Sequence, residues 1–152
     1  MSKRRLKPSS KPNKNIPITP IENKNKKILF SYEHLDLSNP KYILSSIGDY
    51  KTYNQFVSEF FCKIQEYSTK EKKDFSDKTW KKSNHIHPID WKDSRIRESS
   101  FTKLDVKLME EIKDDCWQLG INSTTFRIHG FFIENIFYVV WLDPHHQLYP
   151  SK

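Results

Sequence analysis

The sequence lacks the features that mark several large classes of protein. No apolar run approaches the roughly 18 residues of a membrane span, so no membrane contact is expected. No apolar stretch follows the first basic residues, which argues against a secretory signal. The two cysteines, Cys62 and Cys116, form no CxxC pair. We therefore predict a cytoplasmic protein with two reduced, buried cysteines, and a single disulfide between them is the alternative.

Residues 1–27 contain no aromatic residue and only one acidic residue, Glu22. They hold nine basic residues and four prolines, so they carry a net charge of +8. Because the whole chain carries +7, residues 28–152 sum to −1. A segment without large apolar side chains cannot offset the entropy that is lost on ordering. We predict that residues 1–27 form a disordered basic tail and that residues 28–150 form a single domain.

The charge of the tail indicates contact with nucleic acid. Lysine and arginine side chains that are not balanced by acids bind phosphates through counterion release, without a fold and without sequence specificity. The tail has no aromatic side chain on which a base would stack. The alternative is that this segment only keeps the protein soluble. The tail residues expected to bind nucleic acid are Lys3, Arg4, Arg5, Lys7, Lys11 and Lys14.

Apolar residues at spacings of three and four predict two helices in the domain. The longer one covers residues 49–67, with Asp49 as its N-cap. The other covers residues 103–113, with Thr102 as its cap. A third, short helix is expected at residues 69–75, where Ser68 and Glu71 have the spacing of a capping box.

The rest of the pattern predicts strands and one long loop. Residues 78–97 are polar, with isolated tryptophan and isoleucine anchors, and are predicted to be an ordered loop. The segment 136–142 is almost wholly apolar, which is typical of a central strand with both faces covered. The predicted strands are 28–33, 116–121, 125–133, 136–142 and, as a short edge addition, 147–149. We predict an α+β fold in which two or three helices pack on a small antiparallel sheet of about four strands.

The last hairpin and its exit loop concentrate side chains of catalytic type. The candidates are Arg127, His129, His145, His146 and Tyr149. Cleavage of a phosphodiester requires a cation beside the phosphate, and an acid and a base of near-neutral pKa. Arg127 fits the first role and the histidines fit the others. Tyr149 would orient a nucleobase by stacking or donate a proton. The alternative is that Arg127 pairs with Asp143 or Glu134 while the histidines are solvated.

The order of two helices, an antiparallel meander and a segment with histidine and tyrosine resembles the RelE/ParE-like toxin superfamily of bacterial toxin–antitoxin systems. The matching stretches are Phe126-Arg127-Ile128, residues 136–142 and residues 145–149. The resemblance implies a ribosome-dependent messenger-RNA endonuclease that needs no metal or cofactor. In it Arg127 would contact phosphate, His145 or His146 would be the acid or base, and Tyr149 would lie at the cleaved nucleotide. It also implies RNA or the ribosome, and a cognate antitoxin protein, as partners.

A second group of histidines precedes the hairpin. His85 and His87 alternate along the chain, so an extended segment places both imidazoles on one side, a spacing that metal sites also use. With Asp90 and a third histidine they would hold Zn²⁺ or Mn²⁺. One alternative is a loop whose histidines face water. Another is a loop that packs beside the hairpin and lends His87 or Asp90 to the same cleft. We expect no resident metal and keep these three residues as secondary candidates.

Two other functions compete with the nuclease. One is a non-catalytic nucleic-acid- or ribosome-associated protein that binds through the tail. The other is a protein-interaction module of immunity or antitoxin type. The positions of Arg127, His129, His145 and Tyr149 discriminate between them. Convergence of these side chains on one open cleft favours catalysis, whereas their dispersal or burial in structural hydrogen bonds does not.

Overall fold

The computed structural model describes residues 26–150, so the six basic tail residues expected to bind nucleic acid lie outside the described range. Three α-helices and five β-strands make up this part of the chain. The helices are α1 (Tyr50–Tyr67), α2 (Lys78–Ser83) and α3 (Val106–Ile112). The strands are β1 (Leu29–Ser31), β2 (His87–Pro88), β3 (Cys116–Gly120), β4 (Arg127–Ile133) and β5 (Ile136–Asp143). The architecture is α+β, as the sequence predicts.

The five strands form one mixed sheet in the order β1-β5-β4-β3-β2. β1 runs parallel to β5, whereas the other three pairings are antiparallel. The prediction of an antiparallel sheet of about four strands is therefore wrong in strand number and in the direction of β1. The predicted edge strand at 147–149 is not formed either. Those residues follow a tight turn, because the Asp143 carboxylate accepts the backbone N–H groups of Gln147 and Leu148.

The long helix is confirmed at α1, together with its cap. The Asp49 carboxylate accepts hydrogen bonds from the backbone N–H groups of Lys51 and Thr52, at 3.1 and 3.2 Å. The helix predicted at residues 103–113 is confirmed in a shorter form. It begins after Asp105 and not after Thr102, because the Asp105 carboxylate accepts the N–H of Leu108.

Two predictions between α1 and α3 need correction. The short helix predicted at residues 69–75 is present as a 3-10 helix, Lys72–Ser76, and its capping box lies between Glu71 and Asp74. Residues 78–97 are not all loop, because they contain α2 and β2. These two elements hold six and two residues, too few to show a period in the sequence.

The core consists of two apolar clusters. β5 contributes to both, with Phe137 and Val139 in one cluster and Val140 and Trp141 in the other. The prediction that this strand is covered on both faces is confirmed, although β4 is the middle strand of the five.

Both cysteines are free. Cys116 is buried, but the predicted burial of Cys62 is wrong because its side chain lies on the solvent side of α1. No helix within residues 26–150 is long and apolar enough to cross a membrane.

Candidate functional site

An open pocket of about 410 Å³, the central pocket, lies beside the edge strand β2, where β4 begins and β5 ends. Its lining contains four cations and three imidazoles but no carboxylate. The polar lining residues are Lys81, Lys82, His85, His87, Arg95, Gln118, Arg127, His146 and Tyr149. Residues 28–152 have a net charge of −1, so the tertiary structure has collected positive charge that the sequence distributes over the domain.

The structure brings some of the candidates together and separates others. The two histidines of the 84–91 segment share the central pocket with Arg127, His146 and Tyr149. This is the arrangement in which the loop lies beside the hairpin. His129 is instead fully buried, and His145 is exposed and does not line the pocket. Asp90 contributes its backbone rather than its side chain, because its N–H donates to the Tyr149 hydroxyl at 3.0 Å.

A close approach between β3 and the end of α2 positions the first histidine. The N–H of Gly120 donates to the carbonyl of Asn84 at 3.0 Å. A Cβ atom at residue 120 would lie 2.2 Å from that carbonyl oxygen, so only glycine permits this contact. The next residue, His85, has a left-handed backbone with φ of 52°. The segment thus enters the pocket through a strained residue that is held against β3.

Hydrogen bonds fix the ring of His87. Its Nδ1–H donates to the carbonyl of Pro88 at 2.8 Å, since a carbonyl only accepts. Its Nε2 therefore accepts from the amide of Gln118 at 3.0 Å. Gln118 is 2% exposed, and its Oε1 has no partner within residues 26–150. The ring of His87 meets the ring of Tyr149 edge-on at 4.8 Å, so it also holds the tyrosine in place.

A buried, hydrogen-bonded pair of side chains stands behind the pocket. His129 Nε2 lies 3.0 Å from Asp143 Oδ2, and both side chains are 0% exposed. Burial alone would raise the pKa of Asp143. The hydrogen bond and charge of His129, with the backbone N–H groups of Gln147 and Leu148, hold that pKa below its usual value. The carboxylate thereby closes the turn that carries His146, whose backbone is left-handed with φ of 54°.

Arg127 serves the loop before β4 more than the pocket. Its guanidinium donates to the carbonyls of Asn122, Thr124 and Phe126 at 2.9 to 3.0 Å. The residue is 2% exposed, and among residues 26–150 no carboxylate pairs with it. Burial lowers the pKa of its guanidinium below the ordinary value. Its charge therefore lies beneath the pocket, and its donors are largely occupied by backbone.

Of the four side chains whose convergence would favour catalysis, only Tyr149 lines the pocket with its polar group available. Arg127 and His129 are buried in structural hydrogen bonds, and His145 lies outside the pocket. Any catalytic role of the pocket therefore depends on the other histidines that line it, with Tyr149.

The electrostatics of the central pocket favour neutral imidazoles. Burial, and next the charge of Arg127, lower the pKa of His146 to about 4. Burial also lowers the pKa of His85 and of His87, and nearby cations act in the same direction. Burial raises the pKa of the Tyr149 hydroxyl above 10.0. At neutral pH the pocket therefore offers unprotonated bases beside a protonated hydroxyl and fixed cations.

The described residues do not assemble a metal site of the usual kind. Within residues 26–150, no group of three or more His, Cys, Asp or Glu side chains is arranged to hold a metal ion. The side chain of Asp90 is exposed and does not line the pocket that His85 and His87 share.

Fold and pocket together define a small α+β protein with a basic, histidine-lined pocket beside the edge of a mixed sheet. Over residues 31–152 the chain matches the family described as Uncharacterised protein UU032, and it belongs to that family. Comparison with curated proteins and with solved structures gave no match. The likeness to RelE/ParE-like toxins is not tested by these comparisons and stays a prediction.

Proposed function

We propose that the protein is an endoribonuclease of toxin type, which cleaves messenger RNA in the cytoplasm by acid/base chemistry in the central pocket. One observation carries this proposal. Three imidazoles, a tyrosine hydroxyl and four cations line a single pocket that contains no carboxylate. Such a surface attracts a phosphodiester, and it supplies the groups that move protons during its cleavage.

The reaction that fits this set of groups uses the 2′-hydroxyl of RNA as the nucleophile. The 2′-oxygen attacks phosphorus and loses its proton to a base, so that a P–O2′ bond forms. The P–O5′ bond breaks, and the leaving 5′-oxygen takes a proton from an acid. The products are a 2′,3′-cyclic phosphate and a 5′-hydroxyl end, and no further reactant is required.

His146 and Tyr149 suit the two proton-transfer roles. His146 lies on the pocket wall and is unprotonated at neutral pH, so its imidazole is free to accept the 2′-hydroxyl proton, although a pKa of about 4 makes it a weaker base than an ordinary histidine. The Tyr149 oxygen already accepts an N–H from Asp90, which leaves its own proton free for the 5′-oxygen. Lys81 and Lys82 stabilise the charge that develops on the phosphate, and the buried Arg127 adds to the positive potential.

Substitution of the two neighbouring histidines tests the proposal. Full-length protein is incubated with single-stranded RNA, and the new ends are analysed by mass spectrometry. His146→Asn should lower the cleavage rate by about 10²-fold or more, because general base catalysis contributes that much. Asparagine tolerates the left-handed backbone at this position, so the turn is kept. His145→Asn is the matched control, since this exposed histidine lies outside the pocket.

Tyr149→Phe provides a second variant that keeps the aromatic packing against His87. It should also slow cleavage by at least about tenfold, because the proton donor is lost. The proposal is wrong if wild-type protein leaves RNA intact, or if His145→Asn and His146→Asn lower the rate equally.

A non-catalytic nucleic-acid-binding protein is the second candidate, and the nine basic residues of the tail favour it. In that case RNA would bind and remain intact. Expression of the wild type in bacteria separates the two candidates further. A toxin-type nuclease should arrest growth, and His146→Asn should relieve the arrest.

A further inference from the structure

Two further pockets adjoin the central pocket, since each shares two lining residues with it, and the three pockets together are called the groove. The arginine pocket, of about 210 Å³, is lined by Lys41, Arg95, Arg97, Gln147 and Pro150. The lysine pocket, of about 630 Å³, is lined by Lys78, Thr79, Lys82, Ser83 and His85. The first shares Arg95 and Pro150 with the central pocket, and the second shares Lys82 and His85 with it.

Positive charge runs along the whole groove. No carboxylate lines any of its three pockets. Its surface cations are Lys41, Lys78, Lys81, Lys82, Arg95 and Arg97. Arg95 pairs with Asp93 at 2.6 Å and Lys41 pairs with Glu98, whereas the other four form no ion pair within residues 26–150. The cavity next to the lysine pocket contains Asp74 and Asp77, so the positive surface ends there.

We infer that this groove holds a single strand of RNA by its phosphates, with the reacting phosphodiester in the central pocket and neighbouring phosphates in the lysine and arginine pockets. The identity of the strand as substrate rests on the proposed function. The positioning of several phosphates rests on the charge of the groove alone. A polyanion would contact cations in all three pockets at once, whereas a single phosphate would contact those of one pocket only.

The groove offers its ligand cations and imidazoles but no open aromatic face. Among the residues that line the three pockets, Tyr149 is the only tyrosine, and there is no phenylalanine or tryptophan. Its ring is 5% exposed, with His87 against it at 4.8 Å and the Arg95 guanidinium over it at 5.1 Å. The ring of Tyr149 is therefore not open for a base to stack on, and recognition by phosphate contacts should be nearly independent of base sequence.

The proposed chemistry requires a strand that is free to rearrange its backbone. Attack by the 2′-oxygen needs that oxygen, the phosphorus and the leaving 5′-oxygen in line. A regular A-form duplex holds the 2′-oxygen away from this line. The groove should therefore cleave single-stranded RNA in preference to a duplex of the same sequence.

Binding of a non-cleavable strand tests the groove without relying on catalysis. The probe is a labelled ten-nucleotide 2′-O-methyl RNA, and the affinity of the full chain is measured over a series of salt concentrations. Lys78→Gln with Lys82→Gln should weaken binding about tenfold. It should reduce the slope of log K against log salt by about 1.4, because each phosphate contact to a single strand contributes about 0.7. Arg97→Gln, at the other end of the groove, should reduce the slope by about 0.7.

The matched control is Lys107→Gln with Lys113→Gln, which removes the same charge from exposed positions outside the groove. It should leave affinity and slope within twofold of the wild type. The inference is overturned if groove and control variants behave alike, or if homopolymers of different base differ in affinity by more than tenfold. If the groove variants weaken binding of the probe but the wild type does not cleave RNA, the nuclease proposal fails and the groove inference stands. If the wild type cleaves RNA but the groove variants bind the probe normally, the groove inference fails and the nuclease proposal stands.

Discussion

Two of the three histidines in the central pocket occupy an unfavourable backbone conformation. The φ angles of His85 and His146 are 52° and 54°, in the left-handed region that few residues other than glycine adopt. Each such residue costs on the order of 1 kcal/mol, which the surrounding structure must offset. For His85 the offset comes from the contact of Asn84 with β3, and for His146 from the hydrogen bonds of Asp143. Strain that is concentrated in one pocket is a pattern of functional sites.

The depressed pKa of His146 predicts a loss of stability in acid. This pKa is about 4 in the folded protein, against 6.5 for an ordinary histidine in the unfolded chain. The unfolded chain therefore binds its proton first. The contribution of the neutral His146 to the free energy of unfolding is fully present above pH 6.5 and is lost as the pH falls towards 4. We expect the free energy of unfolding, measured by chemical denaturation, to fall between pH 7.5 and pH 5. This fall should be smaller for His146→Asn than for the wild type.

His85 and His87 titrate in the same direction, so the wild type should lose stability in acid by more than His146 alone accounts for. An equal loss of stability in wild type and His146→Asn would show that His146 titrates normally in the fold.

Two of the elements that build the pocket are the shortest α-helix and the shortest strand within residues 26–150. α2 has six residues and β2 has two, and both lie in the segment that the sequence predicts to be loop. Neither is long enough to be stable alone, so each forms only because neighbours hold it. β2 depends on β3, and the junction between α2 and β2 depends on the contact of Asn84 with Gly120.

This dependence predicts that Gly120→Ala damages the pocket. The new Cβ would meet the Asn84 carbonyl at 2.2 Å, so the segment that carries His85 and His87 must move away from β3. We expect a loss of stability of about 1–3 kcal/mol in chemical denaturation, together with a lower cleavage rate. Gly48→Ala is the control, because nothing lies within 4 Å of a Cβ atom there. Similar behaviour of the two variants would contradict the positioning role of Gly120.

A shift in strand register decides which side chains of the last hairpin come together. The register of β4 and β5 shifts between His129 and Gly130, where His129 pairs with Trp141 and Gly130 pairs with Val139. Val140 is left without a partner in β4. Residues 141–143 therefore face the other side of the sheet from the one they would face without the shift. This shift brings Asp143 to the same side as His129, and the hydrogen bond between them follows from it.

At the scale of the whole molecule, charge is divided between two regions. The first 27 residues carry +8, and the groove concentrates cations within a domain whose net charge is −1. Net charge is a poor guide here, because acids and bases that alternate along the chain are sorted onto different surfaces by folding.

The tail and the groove should contribute separately to RNA cleavage. A full-length variant with glutamine at Lys3, Arg4, Arg5, Lys7, Lys11 and Lys14 should bind RNA more weakly. Its salt slope should be smaller by up to about 4, at about 0.7 for each phosphate contact. The rate at saturating RNA should be unchanged, because the tail takes no part in proton transfer. Replacement of the four lysines by arginine is the control and should keep full affinity. Undiminished binding by the glutamine variant would show that the tail is not a nucleic-acid contact.

The sequence by itself determined the features that depend on local patterns. The period of α1, its Asp49 cap, the apolar run of β5 and the two preceding strands are encoded by neighbouring residues, so they were predictable. The sequence also identified the residue types of the site, since Arg127, His146 and Tyr149 stood out among apolar neighbours.

Only the tertiary structure decided which of these side chains meet. The parallel pairing of β1, the register shift in β5 and the seating of β2 on β3 depend on contacts between residues far apart in the chain. They place His129 in the core, leave His145 outside, and bring His85 and His87 to the pocket wall. They also assemble a basic groove from a domain of nearly balanced charge. Local patterns carry no information about such assembly, because it follows from which surfaces become adjacent on folding.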